Sequence, residues 1–379
     1  MDIEKIRENF PVTDKLIYFN HAAVAPLPLS TSEKVREFLS DYTSNGCLNY
    51  MDWIKYQENT RSLAAKLLGG RPSEIALVKN TSTGISMVAQ GLKWRDGDNV
   101  IIPEGEFPAN AYPWFNLKDR GVEVRIVKER DRRLYPEDFE ALIDERTRLI
   151  SASWVEFATG FMNDIEALGQ LCKKHDIYFC VDAIQGLGIF EIDVKACNID
   201  FLAADGHKWL LAPEGIGIFY VSQRVIDNLH PHFVGWHSVD DPSNYLPYHF
   251  DKIRKDARKY EEGSPNLLGT YALGASLELL LGMGVKEIGK RILFLTDRLA
   301  EGLEERAYKI LSPRGCSEKS GILIFSAGSS EKDAGLFEYL GRNDVFAAPR
   351  GGGIRFSPHF YNSEEEIKRV FALIDQFKG

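Results

Sequence analysis

Two residues of this chain have the types and positions to handle amino-acid chemistry. Lys208 follows Asp200-Phe201-Leu202-Ala203-Ala204-Asp205-Gly206-His207, which reads as a short buried strand breaking at a glycine to present a lysine. Asp182 closes a second apolar run, Cys180-Val181-Asp182, with Gln185 shortly after it. A loop lysine can form a Schiff base with an aldehyde cofactor, and a strand-end carboxylate can keep a pyridinium nitrogen protonated. Those are the two groups that pyridoxal phosphate needs to act as an electron sink. Singly, each residue has an ordinary reading: Asp182 as a strand-end cap or surface ion pair, Lys208 as a solvated lysine. Jointly, with Gln185 and His207 beside them, they favour a pocket at neighbouring strand ends. As nucleophile and proton carrier, Lys208 needs a depressed pKa, which burial and a nearby cation both provide.

Other segments offer parts of the same constellation. Asn80-Thr81-Ser82-Thr83-Gly84 lies between a strand-like run and a helical one. Ser82 and Thr83 there supply either a phosphate site at a helix N-terminus or an ordinary helix cap. Phe107, in Glu106-Phe107-Pro108, can stack on a planar ring or be one more core residue among 22 phenylalanines. Arg355, in Gly353-Ile354-Arg355-Phe356, can fork onto a substrate carboxylate or form a structural ion pair. No G-x-S-x-G, H-E-x-x-H, P-loop or dinucleotide-binding glycine pattern occurs, and the eight histidines lack zinc-ligand spacing. No metal is expected.

The elements that must position these residues read as an α/β fold. Strand-like runs at Ile75–Val78, Val100–Ile102, Val122–Val127, Leu149–Val155, Ile177–Val181, Phe201–Ala204 and Gly217–Val221 alternate with helical patterns such as Gly84–Leu92 and Glu166–His175. Such alternation predicts a mainly parallel, seven-stranded type of sheet covered on both faces. Ligands of such sheets bind beyond the carboxyl ends of the strands, where Asp182 and Lys208 fall. Leu267–Leu281 should open a long helix leaving this domain. Gly321–Phe325 and Gly353–Phe356 read as strands of a smaller α+β unit, closed by a helix over Ser363–Phe377 with a capping box at its start. Expected boundaries are 1–65 for an N-terminal segment packing with the small domain, 66–265 for the large domain, and 266–379 for the connecting helix and small domain.

Composition narrows the class. The 379 residues are 44% hydrophobic and 27% charged, ordinary for a globular protein with a large core. A formal charge of −9 with no long basic run argues against a nucleic-acid partner. Apolar runs are too short for a membrane span, and the first residues lack the order of a signal peptide. Five scattered cysteines without C-x-x-C suit a reducing cytoplasm.

From Tyr18-Phe19-Asn20-His21-Ala22-Ala23 to Ile354-Arg355-Phe356-Ser357-Pro358-His359, the chain resembles the class V members of the fold-type I pyridoxal-phosphate enzymes. These include cysteine desulfurases, kynureninases and isopenicillin N epimerases. The most specific stretches are Val181-Asp182-Ala183-Ile184-Gln185 and Gly206-His207-Lys208-Trp209. The resemblance implies that Lys208 carries the cofactor aldimine, Asp182 pairs with the ring nitrogen and Gln185 approaches the ring hydroxyl. It places Ser82, Thr83 and His207 at the phosphate, Phe107 on the ring, and Arg355 on the substrate carboxylate with Asn20 and His21 nearby. Ser264, in Glu262-Gly263-Ser264-Pro265-Asn266, and Trp236 resemble residues that reach the cofactor of a neighbouring subunit, so a homodimer with shared sites is expected. Desulfurases have a histidine at the position of Phe107 and a mobile cysteine before the arginine strand, whereas residues 326–354 here contain no cysteine. Asp205 stands where many relatives have serine or threonine, and repulsion from a phosphate predicts that it points away. The expected activity is class V aminotransfer on an amino acid. The alternatives are an epimerase, racemase or C–C or C–S lyase on the same scaffold, or a non-catalytic relative.

Overall fold

A computed structural model describes residues 2–248 and 250–378; Met1 and Gly379, the outer ends of the first and last expected domains, lie outside the described residues. The large sheet has seven strands: β1 Ile75–Val78, β2 Asn99–Pro103, β3 Glu123–Val127, β4 Thr147–Ser153, β5 Tyr178–Asp182, β6 Phe201–Asp205 and β7 Gly217–Val221. Their spatial order is β1-β7-β6-β5-β4-β2-β3. Strands β6, β5, β4, β2 and β3 run parallel, while β7 is antiparallel to both β6 and β1. Strands β2, β6 and β7 are buried along their whole length, which is why their sequences are continuous apolar runs rather than alternating ones. The expected mainly parallel α/β sheet is therefore present, with one strand reversed.

One helix contact matters most for the site. The helix Thr81–Gly91 lies against β6, and a Cβ on Gly84 would sit 2.8 Å from the Ala203 Cβ. Glycine at that position allows the approach that brings the helix N-terminus level with the end of β6, where Lys208 follows.

The smaller sheet is antiparallel, in the order Ala348–Arg350, Gly353–Phe356, Leu323–Ser326, Lys309–Ile310. Its core joins Leu323, Phe325 and Phe356 to Leu295 and Leu299, Leu336 and Leu340, and Val370 and Ile374 from three covering helices. The last of these helices, Glu364–Gln376, has Ser363 and Glu366 capping each other, as its sequence predicts. The N-terminal segment divides its contacts. Ile17–Tyr18 pairs in parallel with Val345–Phe346, whereas the helices Leu29–Asn45 and Tyr50–Leu68 pack on Leu267–Met283. Arg61, buried on the second of these, donates to Ile75 O at 2.9 Å and pairs with Glu261, whose Oε1 also accepts from Leu77 N. Removing either partner of such a buried pair costs about 3–5 kcal/mol, because a lone charge stays behind.

The helix opening at Leu267 is shorter than its sequence suggests. It ends at Met283, Gly284 takes a φ of 81°, and a second helix, Val285–Glu304, leaves at 80° to the first. Glycine adopts that backbone at little cost and so ends the helix. No single helix among the described residues is long and apolar enough to cross a membrane.

Candidate active site

Beyond the carboxyl ends of β5 and β6 lies a cavity of about 360 Å³. Ser82, Phe107, Asp182, Gln185, His207, Lys208 and Arg355 all line it. These residues come from separate stretches of the chain, and the sheet order brings them together.

Lys208 is only 8% exposed. Burial lowers its pKa to about 8; the Asp182 carboxylate opposes that fall and the Arg355 guanidinium adds to it. Asp182 is also buried, and desolvation raises it to about 6 although the Ile184 N–H and Lys208 both favour its charge. The Ile184 N–H donates to Asp182 Oδ1 at 3.0 Å, which fixes the carboxylate at the strand end. Gln185 is held at both ends: its Nε2 donates to Ala22 O at 3.0 Å, and its Oε1 accepts from Trp209 Nε1 at 2.8 Å. The Phe107 ring centroid is 5.6 Å from Lys208 Nζ, and Phe157 packs edge-on against that ring.

At the helix end of the cavity, Ser82 faces the space while Thr83 does not. Asn80 Oδ1 caps the helix by accepting from both Thr83 N and Thr83 Oγ1 at 2.9 Å, and Thr83 lines a neighbouring cavity of about 530 Å³. Thr81 takes a place in the Lys208 cavity, its Oγ1 accepting from Asp205 N at 3.0 Å. Asp205 does not point away as expected: it lines the cavity, with Oδ1 3.1 Å from His207 Nδ1. The imidazole therefore stands beside the carboxylate at the cavity wall. The two atoms are misaligned for a hydrogen bond, so both keep bonding capacity.

Arg355 is 2% exposed, and its Nη2 donates to Asn20 Oδ1 at 3.3 Å. Its Nε has no hydrogen-bond partner among the described residues. Burial and the neighbouring Arg350 lower its pKa to about 10. Asn20 thus reaches the site through Arg355. His21 lies outside the cavity wall, fully buried between Ser357 O at 2.9 Å and Tyr361 Oη at 2.8 Å, and burial holds it down to about 3. Ser264 lines the neighbouring cavity with Thr83, and Trp236, 43% exposed in the short turn Trp236–Ser238, is not among the residues lining the Lys208 cavity.

Three contributors have little or no sequence signal of their own. Arg350 and Phe157 join the wall from distant segments. Glu106 stands behind Asp182, accepting from Ser153 N and Ser153 Oγ at 2.7 Å each, and burial with the Asp182 charge pushes it up. Its position immediately before Phe107, after an apolar strand, was the one available hint.

The donor set suits pyridoxal phosphate. Ser82 and the open N–H groups of the helix N-terminus fit a phosphate, Phe107 a ring face, Asp182 a ring nitrogen and Lys208 an aldehyde. The unpartnered His207 Nδ1 and Arg355 Nε are the kind of buried atoms that a bound anionic ligand satisfies.

Comparison with known proteins agrees. The family model aminotransferase class-V matches residues 17–370. A probable cysteine desulfurase from Methanothermobacter thermautotrophicus is 30% identical, with 100% of this chain and 99% of that protein covered. The uncharacterized aminotransferase YcbU of Bacillus subtilis is 28% identical, with 97% and 96% covered. In fold, the chain matches a mutant C-DES with glycine covalently linked to its PLP cofactor, at a TM-score of 0.90 and 21% identity over 98% of this chain and 99% of that one. With a match that spans nearly its whole length, this chain belongs to the class V aminotransferase family of pyridoxal-phosphate-dependent enzymes.

Proposed function

We propose that the enzyme moves an amino group from an amino acid to a keto acid, and that it works as a homodimer. One observation carries the reaction: a buried, readily neutralised Lys208 shares a cavity with a carboxylate-ready Arg355, and no cysteine lines that cavity. When bound, pyridoxal phosphate supplies the electron sink that lets an amino acid lose its Cα proton. Ser82, the helix N-terminus and His207 bind the phosphate. Asp182 holds a proton at the ring nitrogen, and Phe107 with Phe157 keeps water from one face. Arg355, steadied by Asn20, takes the substrate α-carboxylate through its free edge. Lys208 Nζ, once neutral, accepts the Cα proton.

Cleavage of a C–S bond is a second reading, favoured by the full-length likeness to a probable cysteine desulfurase. Cys172 and Cys180 are buried, Cys197 is half-buried, Cys47 and Cys316 are exposed, and none of the five lines the cavity. Sulfur released here would therefore leave in solution rather than on an enzyme thiol. Dimerisation is supported by Ser264 and Trp236, which lie outside the Lys208 cavity of their own chain.

The test is to mix holoenzyme with single amino acids and follow the cofactor spectrum. Amino transfer converts the bound cofactor to its amine form with a donor alone and reverses on adding a keto acid. Sulfide and pyruvate from cysteine, with no lasting spectral conversion by any donor, would contradict the proposal.

A further inference from the structure

Arg350 and Arg355 stand on the two arms of one hairpin, Ala348–Arg350 and Gly353–Phe356, whose turn is Gly351-Gly352. Both turn glycines have positive φ, 64° and 79°, as a tight hairpin turn requires. Arg350 pairs with Gly353, and Ala348 with Arg355. Directly opposed residues of an antiparallel pair share a face, and so do alternate residues along a strand. Both arginines therefore leave the same face, at diagonal positions roughly 7–8 Å apart. Their opposite numbers, Gly353 and Ala348, put no bulk between them. The hairpin is also held in place. Arg132 Nη2 donates to Gly351 O at 2.7 Å, and a Cβ on Gly351 would lie 2.2 Å from Ala158 O.

Both arginines line the Lys208 cavity. Of its acids, Asp182 is committed to the ring nitrogen and Asp205 lies against His207. Arg355 donates to the neutral Asn20, and no carboxylate among the described residues pairs with either guanidinium. A single α-carboxylate satisfies one of them and leaves the other over.

We propose that Arg350 determines specificity by binding a second anionic group, on the substrate side chain, so that the natural substrates are dicarboxylic amino acids and their keto acids. The inference rests on the aminotransfer proposal for the reaction, but the paired anion site follows from the hairpin alone.

Equilibrium binding of succinate and propionate to the holoenzyme, read by titration calorimetry, compares a ligand of two anionic groups with one of a single group. Succinate should bind roughly tenfold or more tightly than propionate, the usual scale for one charged hydrogen-bonded contact. Arg350→Gln should remove most of that ratio, Arg350→Lys should keep part of it, and Arg355→Gln should weaken both ligands. Equal affinity of the unaltered enzyme for the two acids overturns the inference. So does an Arg350→Gln variant that loses cofactor affinity instead of the ratio. Neither ligand carries an amine, so the outcome separates from the reaction. Succinate preference without amino transfer from any amino acid leaves the anion site standing and removes the aminotransfer proposal. Transfer from neutral amino acids without succinate preference does the reverse.

Discussion

Lys208 and Asp182 are both buried in one cavity wall, and burial drives both toward neutrality: the lysine falls to about 8 and the acid rises to about 6. Only the neutral amine attacks an aldehyde. For cofactor-free protein, the capture rate of pyridoxal phosphate should rise about tenfold per pH unit up to about pH 8 and then level off. Stopped-flow absorbance checks this, and a rate still climbing near the ordinary lysine pKa would show Lys208 to be solvated. Asp182→Asn keeps the shape but loses the charge proposed to hold a proton at the ring nitrogen. Turnover should drop on the order of 10²–10³-fold with cofactor still bound, and near-normal steady-state rates would rule out that role. Lys208 and Asp182 stand out in the sequence because Asp182 ends an apolar run and Lys208 closely follows one. Where a side chain turns is less legible. Ser82 and Thr83 are equivalent on paper, yet Asn80 occupies the Thr83 hydroxyl, and Ser357 and Tyr361 draw His21 inward. Asp205 lines the cavity with His207, two residues on, close beside it, a neighbour that an argument from phosphate repulsion leaves out.

At the scale of elements, the hairpin bearing the two arginines is the most constrained part of the site. Gly351→Ala would add a Cβ against Ala158 O at a positive φ, and should cost about 2 kcal/mol or more in urea unfolding while weakening carboxylate ligands. Gly282→Ala is the contrasting substitution, because nothing lies within 4 Å of its added Cβ in the helix Leu267–Met283. It should be neutral or stabilising by up to about 1 kcal/mol. Equal effects of the two would contradict a strained, close-packed turn. Strand positions were legible because a strand buried on both faces must be a continuous apolar run, as Phe201–Asp205 and Gly217–Val221 are. Direction was not: β7 follows β6 antiparallel, and nothing in an apolar run records which way it points. The break at Gly284 was equally hidden, since apolar helical spacing continues on both sides of it.

At the scale of the whole molecule, Leu48, Met51, Tyr112 and Tyr245 stand exposed. The proposed homodimer would bring Ser264 and Trp236 to the Lys208 cavity of the partner subunit. Mixing inactive Lys208→Ala subunits with inactive Ser264→Asp subunits should then restore part of the activity through hybrid sites. A fully active monomer in sedimentation at assay concentration would contradict shared sites. The central claim, that Lys208 is the residue through which this fold holds and uses its cofactor, has a more direct test. Borohydride reduction of the holoenzyme followed by peptide mapping should place the reduced cofactor on Lys208, and Lys208→Ala should give no covalent product and no turnover. Label on any other lysine, or turnover surviving in Lys208→Ala, would contradict the account.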